Sequence, residues 1–413
     1  MEHPRVTIDL ADPAYWVDPY PTLRAARALG RTAMTTRGEV VLLHADDADK
    51  VFLDSAHFTV PGMADLERNG IVDGPFYEWR KHTLAVMEGR EHVRLRGFVG
   101  PAFAPRQMER LRALARERAN ALIDAHTHDG AMEVVKDFAG DLPLWTMCRF
   151  IGIDDEDRQR IGAFLVGTEE GFTSPMTPDR RQRVEAAIVA LNDFVRELID
   201  RRRASPGEDV VTMLVQEQAK PGGPSDDELL SLIVNILGGS VGSTRAAFSN
   251  AILEFARHPD QAELVRRDGA IVQRAVEECL RFHPPFRFGR RVVKEPVTLC
   301  GLELAVGQSV YIARQALNRD PERFEVPDAF NVMRSQRRHL SFSIGAHLCL
   351  GHAVARTNLQ EGLKVFLDRC EDIALTEEPR RVPFVPDEQL ESLRIRFRPA
   401  PNCSPRIEVG SLG

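Results

Sequence analysis

Apolar residues recur at helical spacing over most of the chain. The clearest stretches are residues 105–126, 155–171, 179–203, 226–257 and 260–283, with one more from His352 to Asp368. In that last stretch Ala353, Val354, Leu359, Leu363 and Phe366 are the expected inward positions. The β-like runs are shorter: Thr32–Leu43, Arg291–Leu299, Ser309–Ile312 and Arg394–Phe397. The Pro/Gly cluster Lys220–Ser225 reads as a loop, with Ser225 placed to cap the helix after it. The pattern predicts a mainly α fold with small β-sheets.

Just ahead of the 352–368 helix the pattern gives way to small residues. The run Phe342-Ser343-Ile344-Gly345-Ala346-His347-Leu348-Cys349-Leu350-Gly351 carries a lone cysteine. Free N–H groups and the positive end of a helix dipole favour a thiolate at such a position. Gly351 lets backbone approach the sulfur, and its N–H can bond to it. Thiolate is a haem-iron ligand that favours O–O cleavage. Two other readings stand beside this one: a buried small hydrophobe, and a zinc site using His347, Cys349 and His352, although no second ligand pair is evident.

Composition contributes mostly exclusions. Net charge is −7 with mixed signs along the chain, so there is no nucleic-acid footprint. The N-terminus lacks an apolar signal or anchor, and Leu229–Leu237 is too short to span a bilayer. The six cysteines are scattered without framework spacing, which suits reduced thiols in the cytoplasm. There is no Gly-x-Gly-x-x-Gly run for a fused dinucleotide domain.

The segment Phe342–Arg356 resembles the cysteine-ligand loop of the cytochrome P450 family, matching at Phe342, Gly345, His347, Cys349, Leu350, Gly351, Ala355 and Arg356. Ser343 stands where that family usually has glycine. Upstream, Glu278-Cys279-Leu280-Arg281 before Pro284-Pro285 resembles its buried Glu-x-x-Arg pair, and Asn318–Phe324 the family segment that precedes the cysteine loop. Arg334 falls where the family completes that network. The resemblance implies a cytochrome P450 fold over residues 1–413 as one haem domain, with 1–15 and 400–413 as loose ends. Haem b (iron protoporphyrin IX) would lie between a long central helix and the cysteine loop. Cys349 would be its iron ligand, with Phe342 and Gly351 beside it, and His92, Arg96, Arg291 and His347 would meet the propionates. Arg290 remains an alternative to Arg291.

The implied activity is that of a soluble, monomeric, bacterial-type monooxygenase taking O2 and a hydrophobic small molecule. Electrons would come from a separate ferredoxin or flavodoxin, whose acidic surface Arg94 could help to dock. Implied pocket residues are Phe76, Tyr77, Val234, Leu237, Val241, Phe286, Phe288 and Leu393. On the central helix the family usually places an acid followed by threonine, which relay protons. Here the register anchored on Asn250 gives Gly239-Ser240-Val241-Gly242-Ser243-Thr244, and Leu237 to Arg245 contains no Asp or Glu. Ser243 and Thr244 keep the hydroxyls as the catalytic candidates. Three glycines within five residues predict a locally opened helix, since each costs about 1 kcal/mol relative to alanine. Arg245 is expected in a salt bridge facing away from the pocket, with a substrate carboxylate as the alternative partner. Peroxide-driven chemistry, oxidative coupling or rearrangement, and a non-catalytic haem sensor remain alternatives.

Overall fold

The computed structural model describes residues 6–172, 176–335 and 337–401. Helices dominate, and the longest is Pro178–Ala204. A six-stranded sheet runs in the order Thr7–Ile8, Thr32–Thr35, Val40–Leu42, Ser309–Ala313, Phe288–Val293, Phe58–Thr59. A three-stranded sheet joins Cys370–Leu375, Arg394–Pro399 and Ala131–Glu133.

Several expected elements are subdivided, each for a local reason. Thr32–Leu43 is a hairpin that turns at Gly38, where φ is +78°. The Arg291–Leu299 run is two strands, Phe288–Val293 and Val297–Leu299, separated around Pro296. The 260–283 stretch is two helices, Pro259–Arg267 and Val272–Phe282, because the Asp268 side chain caps Ala270 N and starts a new turn. Residues 1–15 are not a loose end throughout. Thr7–Ile8 pairs in parallel with Met34–Thr35, and Tyr15 is buried. Residues 1–5 and 402–413 lie outside the described part.

The central element is also in two pieces, Asp226–Ser240 and Gly242–Arg257, interrupted at Val241. Its start is a complete capping box. Ser225 accepts from Glu228 N at 3.2 Å, and the Glu228 carboxylate accepts from Ser225 N at 2.8 Å. The first half buries Leu229, Leu232, Ile233, Val234 and Leu237 in one core, and the second buries Phe248, Ile252 and Phe255 in another. Each half is therefore anchored independently, which lets the glycine-rich joint depart from helical geometry. The 226–257 stretch is apolar and long enough to cross a membrane, but 67% of its most apolar window is buried inside the protein, as in a core helix.

Helix His352–Arg369 packs against Pro105–Asp124, where Glu361 accepts from Arg112 at 2.7 Å and from Arg116 at 2.9 Å. Val354, Leu359, Leu363 and Phe366 are buried as the periodicity predicts, and Ala353 is half-buried. This packing fixes the helix whose N-terminus carries the cysteine loop.

Candidate active site

The cysteine loop closes on itself: Cys349 N donates to Phe342 O at 2.9 Å, and helix His352–Arg369 starts directly after Gly351. Gly345 has φ of +73°, and a Cβ there would press on Phe52 O at 3.2 Å. Ser343 also has positive φ, +61°, which explains why glycine suits that position. An L-residue there costs roughly 1–2 kcal/mol. Phe342 is sandwiched beneath Arg356, whose guanidinium lies 4.4 Å from the ring centroid. Arg356 is held in turn by Glu277 at 2.6 and 2.9 Å.

Cys349 is the exposed cysteine among those described; Cys148, Cys279 and Cys370 are buried in packed core. A Cβ built on Gly351 would meet nothing within 4 Å, so the loop borders free space. Desolvation by the folded loop raises the thiol pKa. A hydrogen bond from Gly351 N–H and the charges of Arg96, Arg314 and Arg356 act the other way. Burial outweighs the donors here, contrary to the expectation from the helix end alone.

His347, Cys349 and His352 do not form a metal trio. Among the described residues the His/Cys/Asp/Glu group whose ligand atoms converge is His44, Asp320 and Glu322. His352 instead has Nδ1 3.1 Å from Arg356 Nη1.

Cations gather beside the loop. His92 is buried and stacks on His347 with centroids 4.5 Å apart. Arg96, on the same helix Gly89–Val99, donates to Leu348 O at 2.6 Å. Burial depresses the pKa of His92, His347, Arg96 and Arg291 alike. Glu88 is the acid that reaches this group, 3.4 Å from His347 Nε2. That nitrogen has no hydrogen-bond partner among the described residues. Arg290 and Arg291 separate clearly: Arg290 pairs with Asp65, whereas Arg291 lies over Phe52 and its charge is felt by His347. Arg314 is a member that sequence reasoning missed. It donates to Phe288 O at 2.5 Å and Leu340 O at 3.2 Å, tying the Arg291 strand to the cysteine loop. No motif marks it, because its partners are backbone atoms distant in sequence.

The charges of Arg96 and Arg291, with His92 and His347 as donors and a thiol facing free space, fit an iron porphyrin with two carboxylates. Arg94, in contrast, is paired with Glu91 at 2.7 Å and with Glu228, so its charge is already engaged.

Across the joint in the central helix, Gly239 is exposed and a Cβ there would meet nothing. Ser243 Oγ donates weakly to Gly239 O at 3.5 Å, and Thr244 Oγ1 donates to Ser240 O at 2.8 Å. Arg245 forms a salt bridge with Glu169 at 3.1 Å, and that carboxylate lies against Gly242 at the joint.

Of the pocket candidates, Phe76, Val234, Leu237 and Val241 share one core with Tyr77 packed against it, while Leu393, Phe288 and Phe286 lie apart from it. Phe76 is fully buried in an aromatic cluster with Trp79 and Phe172. Tyr77 turns its hydroxyl outward to Glu67 at 3.0 Å. Phe288 packs with Tyr15, Trp16 and Tyr311. Val234, Leu237 and Leu393 are fully buried core residues, while Val241 lies at the joint and Phe286 is 41% exposed.

The Glu278–Arg281 pair is buried and bidentate, at 2.7 and 2.8 Å, and Arg334 joins it at 3.1 Å.

Comparison with known proteins agrees with this arrangement. The cytochrome P450 family model matches residues 170–384. The biotin biosynthesis cytochrome P450 of Bacillus subtilis (strain 168) is 32% identical over 310 residues, 74% of this chain and 78% of that one. The 6-deoxyerythronolide B hydroxylase of Saccharopolyspora erythraea is 32% identical over 286 residues, 69% of each chain. The crystal structure of CalO2 superposes with a TM-score of 0.89 at 27% identity, covering 95% of this chain and 99% of that one. With its mainly helical fold, its thiol loop and its Glu-x-x-Arg network, the chain belongs to the cytochrome P450 family of haem monooxygenases.

Proposed function

We propose that this monooxygenase is a single haem b domain that inserts one oxygen atom of O2 into a hydrophobic small molecule, with Cys349 as the iron ligand. The observation that carries this reading is the meeting of Cys349 with the buried cations: Arg96 bonds to Leu348, the residue before the thiol. When bound, haem activates dioxygen, and a thiolate ligand favours O–O cleavage. His92, Arg96, Arg291 and His347 hold the two propionates, and Arg314 braces the strand that carries Arg291. Ser243 and Thr244 order water at the opened joint. Electrons come from a separate ferredoxin or flavodoxin, the kind of redox partner that bacterial members of the family use. The relatives named for biotin biosynthesis and for 6-deoxyerythronolide B hydroxylation support a biosynthetic, largely apolar substrate.

The test screens apolar compounds for a shift in ferric spin state, then follows turnover of the best. Turnover with NADH, a surrogate ferredoxin and its reductase is the expected result. Turnover with hydrogen peroxide but not with the electron-transfer proteins would sink the monooxygenase reading. Turnover under neither condition would point to a sensor.

The propionate assignment has its own check. His92→Leu together with Arg96→Leu should speed haem transfer to an acceptor protein. A charge-assisted bond contributes about 1.5–3 kcal/mol, or roughly 10- to 100-fold in affinity. Arg94→Ala, whose charge is engaged elsewhere, should leave the transfer rate unchanged. Equal rates in the double variant and wild type would remove these residues from the haem site.

A further inference from the structure

The joint in the central helix has no acid of its own, yet a carboxylate fills the space of one. A Cβ built on Gly242 would land on the carboxylate of Glu169, the last residue of helix Arg158–Glu169. That carboxylate is held by Arg245, three residues along the same helical face, at 3.1 Å. We propose that Glu169 supplies the acid that the central helix lacks at position 242, reaching in from a different helix and held in place by Arg245.

The chemistry needs such a group. Insertion of one oxygen atom follows R–H + O2 + 2 e− + 2 H+ → R–OH + H2O, with electrons from the one-electron donor protein proposed above and protons from solvent. Protons must cross a region where the chain offers hydroxyls but, from Leu237 to Arg245, no Asp or Glu. The hydroxyls of Ser243 and Thr244 lie next to Gly242 in sequence and lean on the carbonyls of the broken turn. Glu169 can take a proton from solvent, pass it toward these hydroxyls or the water they order, and be reprotonated. Burial raises its pKa above the ordinary glutamate value, while Arg245 opposes this. Asp387 faces it from the segment before the last strand, with its own pKa raised to about 7 by burial and by the charge of Glu169. Arg245 and Arg287 offset part of that negative charge. Glu169 serves in this way only with haem seated between the cysteine loop and the central helix, as proposed above.

Four variants test the assignment: Glu169→Gln, Glu169→Ala, Gly242→Asp, and Gly242→Asp combined with Glu169→Ala. The first readout needs no turnover. Gly242→Asp alone should lower the thermal midpoint, because two carboxylates then compete for one space, and adding Glu169→Ala should restore it. The second readout is hydrogen peroxide released per NADH consumed, with the surrogate ferredoxin system and the best spin-shifting compound. Glu169→Gln and Glu169→Ala should release roughly tenfold more peroxide than wild type, less than the roughly 10²–10⁴-fold a general acid contributes to a rate because ordered water carries part of the proton flow. The combined variant should return toward wild type, although the contact from Glu169 to Arg245 is gone. A purely structural latch would not be repaired by an acid on the other helix. Arg245→Gln should move the acid-dependent midpoint of coupling to higher pH, since the cation that favours the ionised form is lost. Unchanged coupling in Glu169→Gln, or failure of Gly242→Asp to rescue Glu169→Ala, would overturn the proposal. The carbon monoxide difference spectrum keeps the two readings apart. A thiolate band in every variant with unchanged coupling removes only the role of Glu169, whereas its absence from wild type removes the haem-thiolate reading itself.

Discussion

Cys349→Ser should abolish the long-wavelength Soret band of the reduced, carbon monoxide-treated protein and lower turnover by more than the roughly 10- to 100-fold that loss of an outer-shell partner costs. The variant should still fold. Cys349 contributes little packing, its loop borders free space, and the bond from its N–H to Phe342 O belongs to the backbone. Stability should therefore change by no more than about 0.5 kcal/mol, as for substitutions away from packed features. Cys300→Ser is the matched control. Cys300 is half-buried, its thiol is pushed up to about 11 by burial and by Asp47, and it lies away from the cation cluster. Its removal should leave the band intact. Survival of the band in Cys349→Ser, or its loss in Cys300→Ser, would move the ligand elsewhere.

Why Cys349 was legible and Glu169 was not follows from chain separation. The cysteine loop is contiguous, so the residues that form it, from Phe342 to Arg356, fall within one window of sequence. Glu278 and Arg281 are three apart on a helix, which puts their partnership in the sequence as well. Glycine spacing likewise announces the joint at Val241. Glu169 meets Gly242 and Arg245 across more than seventy positions, and no local pattern marks that approach. Arg314 is hidden for the same reason. The pocket candidates show the converse limit. Phe76, Tyr77 and Phe288 are aromatic, but the same side chains can serve a core, a wet rim or a pocket, and only packing decides. Arg94 carries a charge that sequence alone leaves open, and its use depends on Glu228 arriving from another helix.

Removing one partner of the Glu278–Arg281 pair should be the most destabilising single change in the protein. Both side chains are almost fully buried, at 3% and 2% exposure. Glu278 also accepts from Asn331 N at 2.8 Å, and Arg281 donates to Asn318 O and Pro327 O, both at 2.8 Å, and to Ala329 O at 3.2 Å. Arg281→Ala strips Asn318 O and Pro327 O of their donor and leaves the buried carboxylate with only Arg334 and Asn331 N, a loss of about 3–5 kcal/mol. Arg281→Lys should recover little, because an ammonium cannot reproduce the planar fork. The damage should reach the haem site by a traceable route. Asn318, whose carbonyl Arg281 holds, accepts from Leu340 N and donates to Ser341 Oγ, both at 2.8 Å. Those residues lead directly into the cysteine loop. Urea unfolding followed by secondary structure should show the lower midpoint. At denaturant concentrations below that midpoint, the fraction of protein with the thiolate band should already fall. Arg281→Ala within about 1 kcal/mol of wild type would show that water or relaxation satisfies these groups. Loss of stability with a fully retained thiolate band would show that Asn318 does not couple the pair to the loop.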